Sequence, residues 1–418
     1  MLENASSSGL VALQQAAASL LIYQKVLQNP IGKAWIQLLD QLVKVDAQIS
    51  GVLLCYGEYF SALAEEGLSW VEFLNRQIAW ADNPFSRLAT QHHVDQIPLP
   101  LLQAAQQDLM ALQQLAQGET ILQDALRSYG ITVEWPSLQE FRWRDLPQLT
   151  SHYRQYGVGI CAQYRAFRWR QGKLQGITHP DPVKHEDLYG NERQKQLLFH
   201  NTEALLARKP ALHVLLYGAR GTGKSSLVKS LLNRYDGLRL LELHRCDLAE
   251  LPEILITLEP YSHPFILFVD DLSFEADEAD FKQLKVFLEG DIVTQPHHVR
   301  VYATSNRRHL IREFFSDRPQ PSTEEVHAWD TVQEKLSLRD RFGLTLTFTP
   351  FTQEDYLATV RYLLTQAGGQ DPSQPHEKID TLEKSALIWA QRQNGFSGRT
   401  ARHFIDALAA GLIPERLT

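Results

Sequence analysis

The sequence predicts three parts: a mostly α-helical domain at residues 1–178, a mostly parallel α/β core at 179–350, and a small helical lid at 351–418. Three observations carry that prediction. The first 178 positions hold 28 charged residues and the remaining 240 hold 62, so the chain changes character near residue 178. Beyond that point short apolar runs alternate with helix-length segments, the pattern of a parallel sheet covered on both faces. One of those runs feeds a glycine-rich loop that ends in Lys-Ser, and only helical segments follow from about Thr352.

In the N-terminal part, Leu10, Leu13, Ala17 and Leu20 fall on one side of a helix, and Asn29-Pro30-Ile31-Gly32 reads as its stop signal. A second stripe, Leu102, Ala105, Leu109, Leu112 and Ala116, recurs every three or four positions. Such stripes predict helices packed on one another and say nothing about chemistry. Aromatic and basic residues gather later, at Phe141-Arg142-Trp143-Arg144 and again from Arg165 to Arg170. They read either as a stacking surface with phosphate contacts or as a helix that buries Tyr164, Phe167 or Trp169 under flanking arginines.

The stretch Gly176 to Pro182 breaks any regular element and reads as a linker. Strands are expected at Leu212–Tyr217, Leu238–Leu243, Phe265–Val269, Arg300–Thr304 and Leu344–Phe348, with helices between the first four at Lys224–Arg234, Leu248–Leu258 and Ala279–Leu288. The lid helices are expected at Gln353–Thr365, Leu382–Arg392 and Thr400–Ala410.

Composition narrows the class. The 418 residues carry 41 Lys+Arg against 49 Asp+Glu, a formal charge of −8, which excludes a basic nucleic-acid coat but not a local basic patch. Cys55, Cys161 and Cys246 are far apart, which suits a reducing compartment and excludes a cysteine-rich zinc site. No apolar run is long enough for a membrane span. The start has Glu3 and no early basic residue, and Gln14 and Gln15 interrupt its apolar run, so a cytoplasmic protein is expected rather than a secreted one.

The sharpest signal is Gly218-Ala219-Arg220-Gly221-Thr222-Gly223-Lys224-Ser225, which fits G-x-x-x-x-G-K-[ST] at every fixed position. It follows an expected strand and opens an expected helix. Its glycines let successive N–H groups turn toward phosphate oxygens, and the helix N-terminus adds partial positive charge. Lys224 is placed to reach the β- and γ-phosphates, and the Ser225 hydroxyl to ligate Mg²⁺. Some 45 positions later, Phe265 to Val269 ends in Asp270-Asp271. Asp270 is expected to hold Mg²⁺ through its water shell and Asp271 to orient or deprotonate the attacking water.

These stretches resemble the AAA+ ATPases, and more specifically a poorly characterised bacterial family of P-loop ATPases with a helical N-terminal half. The resemblance rests on His179 to Pro182, Asp187-Leu188-Tyr189-Gly190, the loop with Ser226, Asp270 to Phe274, Tyr302 to Leu310, and Leu338-Arg339-Asp340-Arg341-Phe342-Gly343. It implies a five-stranded parallel core, ATP and Mg²⁺ as ligands, and a homo-oligomeric ring such as a hexamer. It implies that Leu188 and Tyr189 pack against adenine, that Asn306 is the sensor between the carboxylate-bearing strands, and that Arg341, with Arg339 as runner-up, is a finger for the neighbouring subunit. In Ser397 to Arg402 it implies that Arg399, or Arg402, contacts the nucleotide from the lid.

The resemblance implies ATP hydrolysis coupled to remodelling of a protein or nucleic-acid client, with the N-terminal domain recognising that client. One departure matters: most AAA+ proteins have Asp-Glu where this chain has Asp270-Asp271, and the shorter carboxylate predicts slow or partner-stimulated turnover. Two rivals stay open, a nucleotide-dependent scaffold with little turnover and a small-molecule kinase on the same loop. The long segment between Asn306 and Arg339 reads as a functional loop. The pairs His92-His93 and His297-His298 lack metal-site spacing and read as surface loops.

Overall fold

The computed structural model of the chain describes residues 2–44, 46, 48–133, 139–272, 284–288, 296–306, 340–366, 376–393 and 395–413. It divides into two units, Met1–Gln163 with Pro260–Ser262, and Tyr164–Glu259 with His263–Thr418. Arg339, Ser273-Phe274, most of the expected helix 279–288 and most of the long segment after Asn306 lie outside the described residues.

The first unit is helical, as expected: α1 Leu2–Ala18, α2 Pro30–Val43, α3 Ile49–Glu66, α4 Trp70–Ala79, α5 Pro84–Ala89, α6 Leu99–Gln117, α7 Glu119–Ser128, α8 Leu146–Tyr156 and α9 Ile160–Gln163. Both predicted stripes face the core: Leu10, Leu13 and Leu20 are buried on one, Ala105, Leu109, Leu112 and Ala116 on the other. The expected stop at Asn29-Pro30 is instead the start of α2. Asn29 accepts the Gly32 N–H at 2.9 Å as an N-cap, and Pro30 takes the first turn, where no amide is required. Trp35 stacks on Trp70 with ring centroids 4.6 Å apart. The buried Asp108 carboxylate accepts the N–H groups of Leu21, Ile22 and Tyr23 at 2.8, 2.8 and 2.9 Å, fixing the turn after α1. Trp143 is buried and donates to Asn75 O at 3.0 Å, so its ring is unavailable for stacking on a polymer.

The second unit is built on a seven-stranded sheet rather than the five strands expected, in the order β2-β1-β4-β5-β6-β3-β7. Its strands are β1 Ala166–Arg170, β2 Lys173–Gly176, β3 Val214–Gly218, β4 Arg239–Leu243, β5 Phe265–Val269, β6 Val299–Ser305 and β7 Leu344–Phe348. All five expected strands are present and mutually parallel. The extra pair comes from the aromatic-basic segment, which is a strand hairpin and not a helix. Alternation explains it: Phe167 and Trp169 point into the fold, while Arg168 between them pairs with Glu242 at 2.9 Å; Arg165, just before the strand, pairs with Asp236 at 3.0 Å. β1 runs parallel to β4, so the sheet takes in residues that the expected boundary at 178 leaves in the N-terminal domain. α10 Glu192–Leu206, α11 Lys224–Arg234 and α12 Leu251–Leu258 accompany the sheet. The expected helix at Leu248–Leu258 starts as a 3₁₀ turn over Arg245–Glu250, because Pro252 suits only the first turn of α12. Three lid helices follow, α13 Gln353–Gln366, α14 His376–Arg392 and α15 Gly398–Ala409. His298 is half-buried against Leu258 O at 3.2 Å rather than a surface residue.

His152, packed on Trp143 with centroids 4.8 Å apart, is held down to about 4, first by burial and then by the Arg142 charge, against a hydrogen bond to the Ala79 backbone. A folded value below the ordinary 6.5 gives stability that is complete above about pH 6.5, declines as the pH falls, and levels off below about pH 4. Thermal melts across that window should show wild type losing more stability on acidification than His152→Phe; identical slopes would remove His152 as the cause.

Candidate nucleotide site

The loop between β3 and α11 is shaped by three glycines that no other residue replaces at equal cost. Gly218, Gly221 and Gly223 have φ of 143°, 74° and 88°, and a Cβ on Gly218 would lie 1.9 Å from Phe348 O. The chain thereby wraps onto the N-terminus of α11. Among the described residues, the N–H groups of Gly221, Thr222, Gly223, Lys224 and Ser225 have no acceptor in the chain. A row of orphan amides at a helix N-terminus is a cradle for an anion.

Lys224 is buried in that cradle. Its Nζ donates to Gly218 O at 2.9 Å, Ala219 O at 2.7 Å and Asn306 Oδ1 at 3.1 Å. Burial lowers its pKa, and the Asp271 and Asp270 carboxylates oppose that shift. Ser225 Oγ donates to Asp270 Oδ1 at 2.5 Å, so the hydroxyl and the carboxylate face one spot. That oxygen also accepts from Thr304 Oγ1 at 2.5 Å. Asp271, at φ 52°, occupies the left-handed region, held there by its N–H on Thr304 Oγ1 at 2.9 Å and by Asn306 Nδ2 on its Oδ1 at 2.7 Å.

A cavity of about 650 Å³ opens over this cluster. Leu188 and Tyr189 line it, as do the loop from Arg220 to Ser226, the carboxylates Asp270 and Asp271, and Asn306, Arg399 and Arg402. Of the expected site residues, Gly218 and Ala219 stand behind the loop, against β7, with Ala219 N–H on Phe348 O at 3.3 Å. Arg341 does not line the cavity; it precedes β7, at the end of the parallel sheet opposite the loop. The lid reaches the loop directly: Gly398 N–H donates to Gly221 O at 2.9 Å, and Ser397 caps α15 by accepting the Thr400 N–H at 3.1 Å.

Two residues of the site escaped sequence reasoning. Thr304 is buried beside β5, where Val269 pairs with Ala303, so the next residue of each strand meets at the ends that bear the site. The signal was a polar residue closing an apolar strand beside a carboxylate-tipped one. Lys195 lines the cavity through a buried side chain whose Nζ donates to Leu188 O and lies 2.8 Å from Glu192 Oε1. A helix-surface lysine gives no such signal.

Strand order β7-β3-β6-β5-β4, a glycine cradle after β3, carboxylates after β5, an amide after β6 and a helical lid together define an AAA+-type P-loop core. The chain belongs to the family described as "Protein of unknown function (DUF815)", matched over residues 162–412, more than half its length. It is also similar to proteasome-activating nucleotidase 1 of Haloferax volcanii, with 24% identity over 168 residues, 34% of this chain and 41% of that protein. The chain thus matches about two fifths of that curated relative. Among solved structures, the Thermotoga maritima RuvB Holliday junction branch migration motor is 16% identical, covering 54% of this chain and 72% of that one, at a TM-score of 0.33. A proline-to-glycine mutant of RuvB from the same organism gives 18%, 57%, 69% and 0.36.

Replacing Thr304 by Val keeps its shape but removes the closer acceptor of the Asp271 N–H, leaving it only Asp270 Oδ1 at 3.2 Å, and removes one donor to Asp270. Denaturant unfolding of Thr304→Val should show a loss of about 1–3 kcal/mol, with Thr304→Ser close to wild type. Equal stability in all three proteins would show that the hydroxyl holds nothing.

Proposed function

We propose that this protein is an ATPase of the AAA+ type that binds ATP with Mg²⁺ in the Gly218–Ser225 cradle and couples hydrolysis to remodelling of a client. The observation that carries the reading is the row of orphan amides meeting Lys224, Ser225, Asp270 and Asn306 in one cavity. Ser225 and Asp270 would hold the magnesium, whose chemistry is to neutralise charge on the phosphate oxygens. Lys224 would stabilise the transferring phosphoryl group, and Asp271, oriented by Asn306, would position the attacking water. Arg399 and Arg402 would sense the phosphates from the lid. Leu188 and Tyr189 would border the base.

Arg341 sits away from its own cavity, which supports a role for it in the site of a neighbouring copy and hence a ring, hexameric by the resemblance. Client recognition goes to the helical N-terminal unit, which ends at Gln163; the sheet-bearing core that follows and the lid, 351–418, form the motor. Protein is the favoured client, since three of the aromatic rings read for stacking, Trp143, Phe167 and Trp169, are buried. A cytoplasmic setting is supported by Cys55, Cys161 and Cys246, which form no disulfide among the described residues. Among the described residues no helix is long and apolar enough to cross a membrane.

ATP loss and ATP binding, measured against protein concentration, test this. Turnover per subunit should rise with concentration. Lys224→Ala should weaken ATP binding by roughly 10- to 100-fold, the worth of a charged hydrogen bond. Arg341→Ala should keep binding and lose turnover by on the order of 10³-fold. Tight ATP binding with negligible turnover in wild type would select the scaffold, and phosphate transfer to a small acceptor the kinase.

A further inference from the structure

The base-side wall of the cavity is an irregular strap, residues 181–191, whose Val183, Leu188, Tyr189 and Asn191 line the cavity. Apart from the 3₁₀ turn His185–Asp187 it has no regular structure of its own, so its shape must be imposed by neighbours. We infer that Asn233 and Tyr362, neither of which lines the cavity, are positioning residues that grip this strap from the core and from the lid. The inference rests on the reading of the cavity as a nucleotide site.

Asn233 lies in the last turn of α11, the helix whose first turn carries Lys224 and Ser225. Its Nδ2 donates to Asp181 O at 3.0 Å and Val183 O at 2.8 Å. One rigid helix therefore holds the phosphate loop at its start and the base wall at its end. The next residue adds a lock: Arg234 Nη1 lies 2.7 Å from His185 Nε2, which must then accept, leaving Nδ1–H to face Glu186 Oε2 at 2.9 Å. From α13, the Tyr362 hydroxyl donates to Glu186 O, and its ring lies 5.5 Å from that of Tyr189. Both grips act on backbone carbonyls of the strap. They set where the wall stands without touching what it borders.

The loop amides are independent of these grips, which separates base from phosphate. In wild type, ATP should bind more tightly than tripolyphosphate, both with Mg²⁺. In Asn233→Asp, which keeps the shape but removes the donors, and in Tyr362→Phe, which keeps the ring, the ATP dissociation constant should rise roughly threefold to tenfold. Tripolyphosphate should stay within about twofold of its wild-type value. Asn233 is exposed and Tyr362→Phe is nearly isosteric, so both variants should fold, which a melt checks. Equal shifts for the two ligands, no shift for either, or a wild type that binds ATP no tighter than tripolyphosphate would overturn the inference. A wild type that binds neither ligand fails earlier and brings down the nucleotide reading itself.

Discussion

Peptide N–H groups left without acceptors at the start of α11 are the constraint around which the second unit is organised. Elsewhere in a folded chain such groups find partners, because leaving one unmade costs about as much as a lost hydrogen bond. Here five of them belong to residues that line a cavity, on a loop shaped by glycine torsions, with a lysine beside them and the helix dipole behind. A Cβ on Gly218 would meet Phe348 O at 1.9 Å, and the Ala219 N–H donates to that same oxygen at 3.3 Å, so β7 backs the loop.

The sheet also decides what faces that loop. Parallel pairing brings the C-terminal ends of β3, β5 and β6 together, and Ser225, Asp270, Thr304 and Asn306 meet there. Asp270 Oδ1 is the hub, since it takes hydrogen bonds from both Ser225 and Thr304. Asp271 is bent into the left-handed region to reach Asn306. A longer glutamate is not needed for that contact, which makes the aspartate pair self-consistent within this fold.

How much of this was legible in advance depends on how local each signal is. The loop, the β5 aspartates and the lid arginines are contiguous motifs, and they fall in one cavity. Phe265–Val269 and Lys224–Arg234 keep their expected bounds because an unbroken apolar strand and a helix opened by Gly-Lys-Ser carry their own start and stop. Asn29-Pro30 misled because the same residues that end one helix cap the next, and only packing chooses. The β1–β2 hairpin was missed since Phe167 and Trp169 are spaced by two, a strand period, inside a segment whose neighbours read as helical. Thr304 and Asn233 act across 34 and 52 or 50 positions, and no window along the chain displays such pairs; Lys195 acts across 7, but on a backbone carbonyl, which leaves no mark in the side-chain pattern.

Amide hydrogen exchange on the full chain, with and without ATP and Mg²⁺, tests the central claim most directly. Peptides covering Gly218 to Ser226 should become strongly protected when nucleotide is added, because the orphan N–H groups gain phosphate acceptors. Unchanged exchange in that loop at saturating nucleotide would contradict the account, whatever other region of the chain responded.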